Sequence, residues 1–268
     1  MFRITTLSKP CHQTSAKELS KQMAPLLDEG IDLLCCQSVA RQSTPQNSGI
    51  NHQGDETNLL AKHLQLTCSC FAPHRQQQEA AVGGSHPLRG VAIFTGPGIW
   101  MLNSGSFVIG EKDCKEVVLF ALVRKNGASV LMFNFHLADS LADQRVQLAD
   151  LFRHSLLKEI YGAVVLCTDR KALLSPKQWA GITADSSYTP FQFDANGDGQ
   201  LSLLTARNGS VTTFPAQSAQ DDQCGALPGV SLTVDIKQPS RSRRSSRPSF
   251  PLSFREQWLG YRDNRVFA

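Results

Sequence analysis

The stretch Val130-Leu-Met-Phe-Asn-Phe-His-Leu-Ala-Asp139 constrains this chain more than any other. It is a nearly continuous apolar run, broken close to its end by Asn134 and His136. Such a run predicts a strand buried on both faces, with an ionisable ring presented at the rim of a sheet. A helix should follow, because Leu141, Leu148, Phe152, Leu156 and Ile160 recur on one helical face. Gly162–Asp169 is a second apolar strand and also ends in an ionisable residue. A strand, a crossover helix and a second strand put both strand ends on the same edge of a parallel pair. His136 and Asp169 are therefore expected to lie near each other.

The same pattern occurs earlier. Phe2–Leu7 reads as a first strand, Ala16, Leu19, Met23, Leu26 and Leu27 as a helix closed by Gly30, and Ile31–Cys36 as a buried strand leading to Gln37-Ser38-Val39. Residues 40–55 and 76–86 are polar and read as surface loops, and Gly83-Gly84 lacks the strand-to-helix setting of a phosphate loop. Leu59, Leu60, His63 and Leu64 predict a short helix, with His63 a helix-face residue rather than a ligand. Arg89–Thr95 and Glu116–Arg124 are strands, and Asn126-Gly127 supplies the positive-φ turn of a hairpin. Ser175-Pro176 marks a helix start. Short strands with turn signals at Asn196-Gly197 and Asn208-Gly209 follow, and a last strand runs from Val230 to Ile236. Periodicity alone gives an α/β domain. The order of strands, crossovers and hairpins suggests two mixed β-sheets packed face to face with helices on both outer sides, a four-layer α/β/β/α sandwich.

Charge divides the chain. Of 27 basic and 23 acidic side chains, eight basic and two acidic ones lie in residues 237–268. That leaves 19 basic and 21 acidic in residues 1–236, a net charge of −2, so the body is no polyanion clamp. The expected organisation is one domain over 1–236, a basic Ser/Arg-rich linker over 237–249, and an aromatic C-terminal segment over 250–268. The linker can draw an anionic surface only weakly. Phe250, Phe254, Trp258, Tyr261 and Phe267 offer enough apolar area to dock on the body or a partner. No apolar run reaches the length of a membrane span, and no basic n-region with a cleavage site opens the chain. The eight cysteines are scattered and lack zinc spacing, which favours reduced core thiols and a cytoplasmic setting.

In this order the motifs resemble the endonuclease/exonuclease/phosphatase superfamily, a metal-dependent phosphoesterase fold, over roughly residues 2–236. Arg89-Gly90-Val91-Ala92-Ile93 resembles the family's Gly-x-Ala-Ile strand. Phe133-Asn134-Phe135-His136-Leu137 resembles its Asn-Thr-His-Leu motif, with His136 at the active-site His, and Gln144-Arg145 and Gln147-Leu148 fit the helix after it. Thr168-Asp169-Arg170-Lys171 stands at Gly-Asp-Phe-Asn: Asp169 is kept, and Lys171 replaces Asn. Thr213-Phe214-Pro215-Ala216 resembles the Thr-Phe-Pro segment. Elsewhere the chain departs. Thr5-Thr6-Leu7-Ser8 lacks the family's metal-site Asn, Gln37-Ser38 has serine where the metal-binding Glu belongs, and Leu227-Pro228-Gly229-Val230 lacks the terminal Asp and His.

Phosphodiester hydrolysis in such a site needs a hard cation held by carboxylates, an activated water and a donor for the non-bridging oxygen. Serine at position 38 removes a negative charge from the cation's surroundings. Lys171 adds a positive one, opposing Mg²⁺ and favouring a bound phosphate. The resemblance therefore implies a catalytically degenerate protein that binds a phosphate-containing ligand or a partner protein. His136 and Asp169 would be the residual catalytic pair, Asn134, Arg170 and Lys171 would bind ligand, and there would be no resident metal. The alternative is an active, divergent metal-dependent phosphodiesterase or nuclease using Mg²⁺ or Mn²⁺. A structural reading of the pair also stands: Asp169 capping a turn and His136 a hydrogen-bonded rim residue. Asp194-Ala-Asn-Gly-Asp-Gly199 matches the start of a calcium loop, but Thr205 stands where a bidentate Glu is needed, so a hairpin turn is the preferred reading. Asn208-Gly-Ser210 is a formal glycosylation sequon without a signal peptide to make it relevant.

Overall fold

The computed structural model describes residues 2–8, 30–41, 55–74, 88–111, 114–158, 163–169, 173–184, 188–193, 200–206, 211–215 and 229–236. The chain divides into two units, Met1–Lys237 and Gln238–Ala268, and the described residues belong to the first. The expected helix over Ala16–Leu27, the 76–86 loop, most of the 40–55 loop, the Asp194–Gly199 loop, the sequon at Asn208, the linker and the aromatic tail lie outside the described residues.

Twelve strands form two six-stranded sheets among the described residues. The first contains β1 (Phe2–Ser8), β2 (Leu33–Arg41), β3 (Cys68–Pro73), β4 (Leu88–Thr95), β11 (Val211–Pro215) and β12 (Gly229–Ile236), in the order β11-β12-β1-β2-β4-β3. The second contains β5 (Trp100–Ile109), β6 (Glu116–Lys125), β7 (Ala128–Phe135), β8 (Ala163–Thr168), β9 (Tyr188–Phe193) and β10 (Gln200–Ala206), in the order β5-β6-β7-β8-β10-β9. Each sheet is mixed and holds one parallel pair, β1 with β2 and β7 with β8. Those are the two pairs that crossover connections predict from sequence.

The sheets pack face to face through alternate residues. Phe2 and Ile4, Leu33 and Cys35, and Val91 and Ile93 from the first sheet meet Leu119 and Ala121, Val130 and Met132, and Val165 and Cys167 from the second. On the outer face of the first sheet, Leu34, Cys36, Val39, Ala92 and Phe94 pack with Leu60 and Leu64 around α1 (Glu56–His63). The outer side of the second sheet is covered by α2 (Leu141–Arg153), a short 3₁₀ turn at Ser155–Lys158, and α3 (Pro176–Ile182). Phe152 of α2 and Trp179 of α3 meet edge to face at 6.2 Å. The architecture is the expected four-layer sandwich.

Local chemistry explains the joints. Asn126 and Gly127 have φ of 49° and 82°, and they close the β6–β7 hairpin as a two-residue turn with both residues left-handed. Ser175 caps α3 and exchanges a full capping box with Gln178, Pro176 standing at the first turn. A Cβ on Gly90 would come within 2.1 Å of the Ala72 carbonyl oxygen, so only glycine lets β3 and β4 approach there.

The structure differs from the sequence reading at Leu141, β3 and β5. Leu141 is exposed at 37% rather than on the buried face of α2, and Ile160 lies outside the described residues. The buried face instead carries Gln144 and Gln147 beside Leu148, Leu151 and Phe152. β3 and β5 were not anticipated: β3 is a short edge strand, and β5 is an edge strand that leaves Trp100, Leu102 and Val108 exposed, so neither has the continuous apolar run of a central strand. The turn signal at Asn208-Gly209 lies outside the described residues, between β10 and β11, which belong to different sheets. At Asn196-Gly197 the expectation fits better: β9 and β10 are antiparallel neighbours, and Leu201–Thr205 is strand, not the exiting helix of a calcium loop. No helix among the described residues is long and apolar enough to cross a membrane.

Candidate functional site

The β7–β8 pair brings together the two residues at its C-terminal edge. Phe135 and Thr168 are opposite in register, so His136 and Asp169 are the next residues out on each strand. His136 Nδ1 lies 2.7 Å from Asp169 Oδ2, and the Leu137 amide donates to Asp169 Oδ1 at 3.0 Å. A carboxylate only accepts, so in the neutral ring the proton sits on Nδ1 and Nε2 carries the lone pair. Asp169 thereby fixes both the tautomer and the ring plane.

The loop that carries His136 is pinned from below by the two buried glutamines of α2. Gln147 Oε1 accepts from the Ala138 amide at 2.9 Å, and its Nε2 donates to the Cys114 carbonyl at 2.9 Å. Gln144 Nε2 donates to the Ala138 carbonyl at 2.9 Å, and its Oε1 accepts from the Leu173 amide at 2.7 Å. These amides do the work that an apolar helix face would otherwise do, and they also satisfy backbone groups that leave regular structure.

Ser38 reaches the site through an irregularity in β2. Cys36 pairs with Ala92 and Val39 with Gly90, so Gln37 and Ser38 together oppose Val91. This is a β-bulge, and Ser38 takes the left-handed φ of 57° that it requires. Cys36 and Val39 both point to the outer cluster, which simple alternation forbids at a spacing of three. The extra residue resolves the parity and aims the Ser38 side chain at the second sheet. Ser38 Oγ lies 3.3 Å from His136 Nε2, and Arg89 Nη1 donates to the Ser38 carbonyl at 3.3 Å.

Behind Ser38 the two sheets are tied by a buried amide network. Gln37 Nε2 donates to Asn134 Oδ1 at 2.7 Å and to Thr6 Oγ1 at 3.0 Å. Asn134 Nδ2 donates to the Cys36 and Ala92 carbonyls at 2.9 and 2.8 Å, beside the bulge. Asn134 has no exposed surface, and both ends of its amide are held by protein groups. The sequence expectation set it facing a ligand; the structure places it one layer behind the rim, because it falls on the inward face of β7 with Val130 and Met132. Arg170 and Lys171 lie outside the described residues.

His74, at the end of β3, was not singled out by sequence. Its ring stands 4.4 Å from the His136 ring, tilted by 58°, and its Nδ1 lies 3.3 Å from Glu116 Oε1. Only recognition of β3 as a strand of the first sheet would have shown that Pro73-His74 ends at the same edge as Ser38.

The donor set does not suit a hard divalent cation. Mg²⁺ and Mn²⁺ take several oxygens, carboxylates foremost. Here the carboxylate of Asp169 is committed to His136 and Leu137, Glu116 is turned to His74, and position 38 offers a hydroxyl. Among the described residues, no three His, Cys, Asp or Glu side chains are grouped to hold a metal ion.

No family model and no curated protein sequence matches the chain. Solved structures do. The endonuclease/exonuclease/phosphatase from Bacteroides vulgatus is similar with a TM-score of 0.59 at 12% identity, over 88% of this chain and 99% of that one. The human Nocturnin catalytic domain with bound sulfate anion has a TM-score of 0.58 at 12% identity, over 88% and 93%. A humanized Danio rerio TDP2 has a TM-score of 0.54 at 13% identity, over 87% and 98%. The chain has the fold of endonuclease/exonuclease/phosphatase proteins.

Proposed function

We propose that this chain is a phosphoesterase-fold protein in which metal-dependent hydrolysis has been lost, and that it binds a phosphate-containing ligand or a partner protein at the Ser38–His136–Asp169 edge. The observation that carries this reading is the 3.3 Å contact between Ser38 Oγ and His136 Nε2. Where the family resemblance places a cation-binding carboxylate, this chain has a neutral hydroxyl engaged with the very imidazole that metal-dependent chemistry would need. Arg89, beside Ser38, supplies positive charge for an anion, and Arg170 and Lys171 add more in sequence next to Asp169. Fold relatives fit an anionic ligand: Nocturnin was solved with a sulfate anion, and Danio rerio TDP2 with a single-strand DNA product.

A second reading, an active and divergent phosphodiesterase, draws on the intact His136–Asp169 pair. Hydrolysis of bis(p-nitrophenyl) phosphate with Mg²⁺ or Mn²⁺ separates the two. The expected result is no metal-stimulated turnover, together with saturable binding of inorganic phosphate that weakens in Arg89→Met. Metal-stimulated turnover abolished by His136→Ala and by Asp169→Ala would establish the second reading instead.

A further inference from the structure

We infer that Ser38, His136 and Asp169 form a nucleophilic relay, and that Ser38 accepts acyl groups from carboxylic esters without a metal ion. This goes beyond the loss of metal-dependent hydrolysis, which says nothing of other chemistry at the same edge. A serine hydroxyl, an imidazole and a carboxylate in line are the arrangement by which a weak nucleophile gains a general base whose ring is fixed from behind.

Each element is present in the right sense. Asp169 Oδ2 accepts the Nδ1–H hydrogen bond at 2.7 Å, which leaves the Nε2 lone pair facing Ser38 Oγ at 3.3 Å, a little longer than an ideal bond, as such pairs often are before substrate binds. Exposure increases outward along the relay, from 10% for the Asp169 side chain to 19% for His136, while Ser38 is half-buried. The acid is thus sheltered from water and the ring edge is reachable. Ser38 is also held in a strained conformation, φ 57° in a bulge that re-aims its side chain, and backbone strain of this kind concentrates where a side chain must be presented. Hydrolases of other folds also present the nucleophile on strained backbone, there on a sharp strand-to-helix turn rather than in a bulge. Arg89, bonded to the Ser38 carbonyl, braces the backbone of the bulge that presents the hydroxyl.

The chemistry balances without a co-reactant other than water. Ser38 Oγ attacks the ester carbonyl carbon as its proton passes to His136 Nε2. The bond from that carbon to the alcohol oxygen breaks, and the leaving alkoxide takes the proton from Nε2. Water then attacks the acyl-Ser38 ester and gives one proton to Nε2. As the acyl–Oγ bond breaks, Oγ recovers that proton and the carboxylic acid departs. His136 ends neutral, and nothing is oxidised or reduced. Ser38 and His136 are the catalytic residues, and Asp169 is a positioning residue.

A fluorophosphonate probe tests this, since it phosphonylates an activated serine and releases fluoride whatever the natural ester. With EDTA present, the full chain should gain one adduct mass, mapped to Ser38, and should hydrolyse p-nitrophenyl acetate. Ser38→Gly, which suits the left-handed φ, should lose both while keeping its near-ultraviolet circular dichroism. Asp169→Asn should lower kcat for the acetate about 100-fold or more with little change in KM, as expected when the ring takes the wrong tautomer. If Ser38→Gly does not fold, Ser38→Cys serves: its thiol should react with iodoacetamide at least tenfold faster than the same thiol in a His136→Gln background. Native protein that takes no adduct, takes it at another residue, or labels equally fast in His136→Gln would overturn the relay.

Discussion

Gln37 of the first sheet donates to Asn134 of the second across 2.7 Å, and the two residues are 97 positions apart in sequence. Both are fully buried. Their amides join the two sheets at the end of the apolar core between them, directly behind the bulge that aims Ser38. A polar pair at this depth is tolerated because its donors are spoken for: Gln37 also reaches Thr6, and Asn134 reaches the Cys36 and Ala92 carbonyls.

Asn134→Leu keeps the volume and removes three buried hydrogen bonds, one from the Gln37 amide and two to the Cys36 and Ala92 carbonyls. Each buried bond lost costs about 1 kcal/mol, so the variant should lose about 3 kcal/mol of unfolding free energy in a urea titration. A loss below about 1 kcal/mol would mean that water enters and replaces the network.

Lys125 Nζ meets both oxygens of Asp32, at 2.6 and 2.7 Å, and ties the β6–β7 hairpin to the entry of β2. Asp32 also accepts the Arg3 amide at 2.8 Å. Both side chains are partly exposed, so the pair is worth little despite its geometry. Asp32→Asn, which retains an acceptor for Arg3, should cost no more than about 1 kcal/mol, and the difference from wild type should vanish in 1 M NaCl. A larger, salt-independent loss would show that the pair is effectively desolvated.

His154 stacks on Phe107 at 3.8 Å, and its Nδ1 accepts the Leu156 amide at 3.3 Å. Burial lowers its pKa below 6.5, against a smaller upward pull from Asp150. The folded state thus prefers the neutral ring, and the unfolded chain takes up the proton first as pH falls. The stabilisation is complete above about 6.5 and is lost as pH drops through the lower, folded value. Melting temperature should fall as pH is lowered from 7.5 toward 5, and His154→Phe should flatten that slope. Parallel curves for the two proteins would remove His154 from the acid response.

The sequence made the β7–β8 edge legible because two apolar runs, each ending in one ionisable residue, leave little choice once a helix joins them. The proximity of His136 and Asp169 follows from connectivity alone. Ser38 was legible only as a missing carboxylate. Its meeting with His136 depends on one extra residue in β2, and a bulge leaves no mark on an apolar pattern that already reads as continuously buried. His74 and the edge strand β5 were hidden for the opposite reason: short or half-exposed strands lack a run long enough to stand out. Gln144 and Gln147 were read as fitting the helix after His136, but burial of an amide is set by what it bonds, here Ala138, Cys114 and Leu173, and not by its hydropathy.

The bulge itself makes the last prediction. A non-glycine residue in the left-handed region costs about 1 kcal/mol or more, and Ser38 bears that cost in every folded molecule. Ser38→Gly removes the clash that makes this conformation unfavourable, at the expense of greater freedom in the unfolded chain and one hydrogen bond to His136. The terms nearly cancel, so the melting temperature should stay within a few degrees of wild type. Ser38→Val keeps a side chain but is β-branched, and it should destabilise by about 1–2 kcal/mol or straighten the bulge. Straightening would slip β2 by one residue beyond Cys36 and turn Val39 from the outer cluster toward the second sheet. Amide exchange along β2 reports the difference: in Ser38→Gly the protection of Val39 and Ala40 should match wild type, and in Ser38→Val it should fall. If Val is accommodated as readily as Gly, the left-handed φ imposes no strain, and the conformation of Ser38 is a consequence of sheet packing alone.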